Sequence, residues 1–515
     1  MSREAEPHMS EEAAVTALLR EHHLEGCEAA LGAYIARQRW GGAQGRIIES
    51  TTIVDAAVIS AGTPLLLHTL TAVRFTDTRT MRYALPLGVR PAGDPIAERV
   101  PEFVIPWPEA PRPITLYDAV GDSEYIEWLL DSIRSGRTLP TTSGTLRFSC
   151  PDPAALDTGS LSSVRHLRVE QSNTSLEVGD AIFLKHLRRV EPGPSQELEM
   201  SDALEAAGFS HLAPLLGRTV WDPGDAAPSP LVLVQRFLHN STEGWALALT
   251  SLRDLYSNAE SVGHADPVER RAMVDDQDAA FLAESMRLGK VVAEMHLALA
   301  SGAPGTDMAP EPMTEESLNT WANAMTGELD QLLARDEPSL DQLRDARAGV
   351  VARFDQIRGL SPSGLLTRIH GDLHLGQLLR VDTGWVILDF EGEPDRSPAE
   401  RRELSTPLRD VAAMLRSFDY AAAAAIVERA PPESPEAAML SGYGEAWADA
   451  NRDAFWSAYL ETIGSGWVLP APGPSLVLRR AFEVQKAVYE IGYELGHRPA
   501  WVQIPLRFLL RGINQ

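Results

Sequence analysis

Cysteine is almost missing from this chain of 515 residues: Cys27 and Cys150 are the two that occur. Neither sits in a C-x-x-C or other ligand cluster, which excludes a disulfide framework and a thiolate metal centre; reduced thiols in a cytoplasmic protein are expected. Positive charge is scarce too. Lysine plus arginine number 46 against 72 aspartate plus glutamate, a formal net charge of −26. That balance is a poor match for nucleic acid or an anionic membrane surface, although local lysines, backbone N–H groups and metal ions can still receive an anionic cofactor. Long hydrophobic runs are absent. The alanine-rich stretch from Tyr420 to Val427 is the longest, far short of the ~20 residues that span a bilayer. The start, MSREAEPHMSEEAA, has no basic segment leading into an apolar core, so no secretory signal is expected. Also absent are G-x-G-x-x-G and G-x-x-x-x-G-K-[ST], the two glycine-rich loops that most often cradle phosphate.

What is present is an ordinary globular composition, 44% hydrophobic, on a chain long enough for about three domains or lobes. Ser10 followed by Glu11 and Glu12 predicts a helix start. Gly26 predicts a stop. From Ile47 to Arg90, β-prone runs separated by Gly, Pro and polar clusters predict an antiparallel meander. A proline-rich connection follows, and TLYDAVGDSEYIEWLLDSIRSG reads as helical. Strand texture returns near Ser163, in HLRVEQSNTSLEVGDAIFLKHL and again in PLVLVQRFL. Beyond about Gly244 the pattern is helical, with one hairpin, QLLRV–DTG–WVILDF, between predicted helices. The expected division is a cap at 1–90, an intermediate segment with a β-rich lobe at 91–240, and a helical lobe at 241–515. The fold class is α+β: a bilobal, eukaryotic-protein-kinase-like fold with an additional N-terminal α+β cap. Fold alone does not fix function.

Chemistry is concentrated in RIHGDLHLGQLLRVDTGWVILDFEGE, Arg368 to Glu393. Phosphoryl transfer to a hydroxyl needs one carboxylate near the acceptor and further oxygen ligands for Mg²⁺ on the nucleotide phosphates. Asp372, Gln377 five residues later and Asp389 twelve beyond that supply a loop carboxylate, an amide oxygen and a carboxylate past a hairpin. That is the order of a kinase catalytic loop and metal loop. Asp372 is read as the base, and Gln377 and Asp389 as Mg²⁺ ligands. Glu391 is a candidate for a second metal or for substrate, and His374 for orienting substrate. His370 reads as a loop-packing group. A polar hairpin with incidental acids is the plain alternative. A metal site on His370 and His374 is disfavoured because Gly371 argues for a loop.

The phosphate end is expected in the β-rich lobe. Ser172, Asn173 and Thr174 of EQSNTS can turn tightly and offer N–H groups. Lys185 closes the strand AIFLK and would reach the α- and β-phosphates of ATP, with Glu199 as its ion-pair partner on the next helix. The backbone around Gln235 to Phe237 would meet adenine.

The strings HGDLHLGQ…WVILDFEGEP…RRELSTPLRDVAAMLRSFDYAA, EQSNTS, FLKHLRRVEPG…ELE, LGKVVAEMHLALA and KAVYEIGYELGHRPAW…IPL together resemble the bacterial maltokinases, of the aminoglycoside-phosphotransferase-like superfamily. The resemblance runs from about residue 30 to the end. It implies ATP- and Mg²⁺-dependent phosphorylation of maltose at its anomeric hydroxyl, a link to α-glucan and trehalose metabolism, and a trehalose synthase as a partner. It also implies a sugar pocket at Lys486, Tyr489 and Tyr493, which share a helix face with Phe482. An amphipathic core stripe is the other reading of that face. Departures are RWGGAQGR, where the family has a lysine, and SQELE, where it has a proline. An amino sugar such as glucosamine, or a pseudo-oligosaccharide, is the alternative acceptor; Glu483, Glu490 and Glu494 are the carboxylates within sequence reach of an ammonium group. A non-catalytic regulatory subunit is the remaining alternative, against which Lys185, Asp372, Gln377 and Asp389 all stand.

Overall fold

The computed structural model describes residues 10–42, 46–156, 163–167, 172–191, 193–302, 308–393, 396–431, 434–464 and 467–513. Glu170 and Gln171 of the EQSNTS string lie outside them. Contacts divide the chain into two units, Met1–Ser195 with Ala213–Leu238, and Gln196–Leu212 with His239–Gln515.

The first unit is β-rich. Its first helix, Glu11–Glu21, starts where Ser10 accepts a hydrogen bond from the Ala13 N–H. Gly26 follows in the left-handed region, and a second helix, Glu28–Arg37, which the sequence reading passed over, packs on the meander. One sheet runs Ile48–Ala61, Leu65–Phe75, Leu87–Pro91, Ile114–Asp118, Val104–Ile105, with Thr80–Ala84 on the second strand. All its pairings are antiparallel. Leu65–Phe75 lacks the usual alternation because both faces are covered. Leu66 and Leu70 enter one apolar core; Leu65, Leu67 and Val73 enter another. TLYDAV is not helical, as expected from its pattern, but an inner strand, Ile114–Asp118; the helix waits for the Asp122 cap and spans Ser123–Arg134. Short β-prone runs yield to the sheet they can join.

The second sheet runs Thr138–Pro140, Thr145–Ser149, Leu215–Asp222, Ser229–Arg236, Ile182–Leu187, Asn173–Val178, Val164–Leu167. Register places Thr174 opposite His186 and Ser175 opposite Lys185.

The second unit is helical. Its core is built by Ala279–Ala300, Leu408–Arg429, Pro435–Ile463 and Pro472–His497 around Met295, Leu415, Phe418, Trp447 and Phe455. The helix Gln196–Ala206, assigned to the β-rich lobe from sequence, belongs here, because Met200, Ala203 and Leu204 join this core. Leu378–Val381 and Gly384–Ile387 form the expected hairpin, with Gly384 at φ 138° in a region that favours glycine. Among the described residues no helix is long and apolar enough to cross a membrane. Cys27 and Cys150 are free thiols.

Candidate active site

In the helical unit, hairpin register brings together residues that are twelve apart in sequence. Leu378 pairs with Ile387, and the Leu388 N–H donates to the Gln377 carbonyl at 2.9 Å. The side chains follow: Gln377 Nε2 is 3.1 Å from Asp389 Oδ2. Asp389 holds φ at 60°, a left-handed conformation costly for a residue with a Cβ. Such strain, of order 1–3 kcal/mol, persists where surrounding structure enforces it and is common at functional sites.

The loop that carries Asp372 is held by Asp410. This carboxylate, 1% exposed, accepts the backbone N–H of His370 at 2.7 Å and of Gly371 at 2.9 Å. His296 Nε2 lies 3.2 Å from its Oδ2, and His296 Nδ1 lies 2.9 Å from the Tyr459 hydroxyl. Burial pushes the Asp410 carboxyl up, but His296 and the loop amides win and hold it below its usual range. His370 packs as expected: its Nε2 meets the Leu388 carbonyl at 2.8 Å, joining the loop to the strand that carries Asp389. Sequence reading missed Asp410 and His296 as site supports. Both lie within strings it quoted, but only tertiary packing shows that they converge.

Asp372 faces the Lys486 ammonium at 3.3 Å, and Lys486 also donates to Glu393 at 2.8 Å. Against the opposing effect of burial, Glu393 and Asp372 hold Lys486 above its ordinary value. Glu393 is the reciprocal case. Burial raises it, yet Lys486, Arg409 and Arg396 bring it down to about 2. His374 Nδ1 accepts the Gly376 N–H at 3.0 Å, and its Nε2 stands 3.9 Å from Asp372.

Asp389, Glu391 and Glu197 each offer an oxygen, and these oxygens lie within 4.8 Å of one another. Hard carboxylate oxygens with a neighbouring amide suit Mg²⁺, and a half-turn of the Gln377 amide would present its oxygen. The residues therefore fit the ion that sequence reading called for, with Glu197 added. The same helix carries Glu199, the expected partner of Lys185. Its carboxylate is gripped by Arg402, at 2.9 and 2.7 Å, and by Arg368 at 3.3 Å. Two residues apart on a helix is about 200°, so Glu197 and Glu199 serve different faces.

Beside the loop lies a cavity of about 130 Å³ bordered by Trp321, Glu328, Gly371, Glu393, Arg396 and Phe482. Phe482 meets Trp321 edge-on at 5.4 Å. A smaller recess continues to Lys486 and Tyr489. Glu328 Oε2 accepts from Gln485 at 2.8 Å, and its Oε1 is 3.9 Å from Arg396. Tyr493 stands outside both linings, 37% exposed and stacked on His497 at 4.2 Å. The three acids expected to await an ammonium group are committed elsewhere. Glu483 pairs with Arg452, Glu490 with Arg416, and Glu494 with Arg498. Helical spacing placed them on faces that pack against other helices.

In the β-rich unit, Lys185 is buried in the centre of its strand, between Ser175 and Leu233. Asn173 Nδ2 donates to Ser172 Oγ at 3.1 Å, and Thr174 Oγ1 accepts from Arg188 at 2.8 Å. Gln235 is paired on both sides, with Phe183 and Leu215, and the Phe237 N–H donates to the Ala181 carbonyl at 2.9 Å.

A β-rich unit with a cap and a helical unit with a loop carboxylate, a hairpin and a metal-ligand cluster define an α+β kinase-like phosphotransferase with an N-terminal cap domain. The family model of the maltokinase N-terminal cap domain matches residues 34–122. The glucosamine kinase of Mycolicibacterium smegmatis is 31% identical over 349 residues, 66% of this chain and 77% of that protein. That of Streptacidiphilus jiangxiensis is 29% identical over 352 residues, 66% of this chain and 71% of its own. Among solved structures, a glucosamine kinase in complex with glucosamine, ADP and inorganic phosphate gives a TM-score of 0.61 at 20% identity, covering 93% of this chain and 98% of the other. A second glucosamine kinase crystal form gives 0.64 at 21%, covering 94% and 99%. The chain belongs to the glucosamine kinase family, a maltokinase-like branch of the kinase superfamily, and is a sugar kinase of this fold.

Proposed function

We propose that the protein transfers the γ-phosphoryl group of ATP to a hydroxyl of a single amino-sugar ring, glucosamine first among candidates. The observation that carries this is the small acid-bearing cavity against the catalytic loop. It holds an aromatic pair, Trp321 and Phe482, and the Glu328 carboxylate at its wall. A pyranose presents an apolar face to aromatic rings, and a protonated amine seeks a carboxylate. The cavity, of about 130 Å³, has room for a sugar ring and continues into the recess at Lys486 and Tyr489. The names of both curated relatives and the bound glucosamine and ADP of the solved relative support the same choice.

Asp372 accepts the proton of the attacking hydroxyl, and Lys486, 3.3 Å away, orients that carboxylate. Asp389, Glu391, Glu197 and Gln377 would hold Mg²⁺. When bound, that ion neutralises charge on the phosphates. Lys185 with Ser172 to Thr174 receives the phosphates, and the Gln235–Phe237 segment receives the base. Maltose, phosphorylated at its anomeric hydroxyl, is the second reading, favoured by the maltokinase cap match.

The test is to incubate purified protein with Mg²⁺-ATP and glucosamine, glucose, maltose or trehalose, and to identify products by mass and NMR. A glucosamine phosphate is expected. A phosphate on C1 of maltose with glucosamine inert would replace this reading by the second. Turnover of none of the sugars would end both.

A further inference from the structure

The cap string RWGGAQGR takes no part in the chemistry above, yet its tryptophan is buried, 5% exposed. The Arg188 guanidinium lies over the Trp40 ring at 4.9 Å. Arg188 is itself fully enclosed, at 0% exposure, and so is its partner Asp118, whose Oδ2 is 2.7 Å from Nη2. Asp118 also accepts the Tyr34 hydroxyl at 3.1 Å. The remaining edge of the guanidinium points the other way, its Nε donating to Thr174 Oγ1 at 2.8 Å. One planar group thus touches the turn after the cap helix through Trp40, the end of the strand Ile114–Asp118 through Asp118, and the first strand of the nucleotide hairpin through Thr174.

Neighbouring contacts make this junction stiff. Arg189 Nε donates to the Trp40 carbonyl at 3.1 Å, and the Tyr83 hydroxyl donates to the Gly41 carbonyl at 2.5 Å. The chain beyond Lys185 is stitched to the cap sheet: the Ala84 N–H donates to the Arg188 carbonyl and the Val190 N–H to the Arg82 carbonyl, each at 2.9 Å. Gly42 suits this turn because its φ of 60° lies in the left-handed region, and a Cβ there would displace the Arg189 guanidinium.

We infer that Arg188 is a positioning residue for the nucleotide, fixing the Thr174 edge and the Lys185 strand to the cap, so that the cap sets nucleotide affinity. A planar guanidinium is needed to stack on Trp40, pair with Asp118 and donate through Nε to Thr174 at once; lysine can keep the Asp118 pair but not the other two. The inference rests on the ATP reading above.

The experiment measures Mg²⁺-ADP affinity by calorimetry on the full chain, together with acceptor KM and melting temperature, for wild type, Arg188→Lys, Trp40→Leu and Trp40→Phe. Losing charge-assisted contacts of this kind weakens ADP about tenfold or more in Arg188→Lys. Trp40→Leu, which touches no nucleotide group, is expected to weaken ADP severalfold, Trp40→Phe to recover most of it, and acceptor KM to stay put. Folded variants with wild-type ADP affinity would overturn the inference and leave the cap a purely structural appendage. Should Arg188→Lys not fold, the Trp40 pair decides by itself. A wild-type protein that binds no nucleotide would bring down the ATP reading, and this inference with it.

Discussion

The catalytic loop and the cap junction are both built on a buried aspartate, and they differ in what that aspartate holds. Asp410 holds loop backbone: two N–H groups at 2.7 and 2.9 Å, next to Asp372, the base proposed above. Asp118 ties the side chains of Arg188 and Tyr34 together, and its other oxygen accepts the Val120 N–H of its own turn, at 3.2 Å. The first arrangement fixes a chain path, so that the loop presents Asp372 in one position. The second fixes the mutual placement of segments that sequence keeps far apart. Damage to the first is expected in kcat, and damage to the second in nucleotide affinity and stability.

The largest effect expected is at the centre of the first region. Asp372→Asn keeps shape and hydrogen-bonding reach but removes the proton acceptor. Turnover should fall ~10²–10⁴-fold, with circular dichroism and melting little changed. A variant that still phosphorylates sugar at the wild-type rate would dissolve the contrast, since the loop would then be scaffolding like the cap.

Next comes Asp410→Ala. It leaves two loop N–H groups without acceptors and His296 without its buried partner. Leaving buried donors without an acceptor costs about 1–3 kcal/mol each, read as a fall in denaturation midpoint, and the surviving folded fraction should lose kcat as well. If stability falls while kcat per folded molecule is untouched, Asp410 behaves as Asp118 does.

Legibility in the sequence follows the same divide. Asp372, Gln377 and Asp389 could be read because one hairpin closes their geometry, and a two-residue turn fixes its register. Helix Glu315–Leu333 lay within the stretch predicted from periodicity. Glu197 went unnamed because nothing in SQELE says which of two acids two residues apart turns toward Asp389 and Glu391. The strand at Ile114–Asp118 was taken for helix because its partner strands lie elsewhere in the chain. That Tyr34, Trp40, Asp118, Thr174 and Arg188 meet has no local signal. Their meeting depends on the cap and the hairpin being packed, and long-range side-chain convergence has no period to detect.

A smaller and pH-dependent effect is expected at Glu393, which ties Lys486 to the catalytic loop. Its folded-state value, about 2, lies below the ordinary 4.5. A depressed carboxylate contributes stability that is present above its unfolded value and is lost as pH falls through its folded one. The window therefore runs from roughly pH 4.5 down to pH 2, and the full difference amounts to about 3 kcal/mol. Glu393→Gln should flatten the stability profile across that window and lower stability at neutral pH, measured by urea denaturation at each pH. An unchanged slope would mean that the carboxylate is no better stabilised in the folded chain than in the unfolded one.

The mildest variant is Tyr34→Phe, and it isolates a single bond of the second region. The ring stays, with its edge-on contact to Trp40 at 6.2 Å. Only the hydroxyl that donates to Asp118 at 3.1 Å is removed. Asp118 keeps Arg188, so the buried charge remains compensated and the loss is that of one hydrogen bond, about 1 kcal/mol. Because Arg188 still bridges Trp40 and Thr174, ADP affinity should stay within twofold of wild type while stability drops by that amount. A larger fall in ADP affinity than in stability would extend the positioning role from Arg188 to the cap helix itself. That result would make the cap's first contact with the nucleotide site Glu28–Arg37 rather than the turn that follows it.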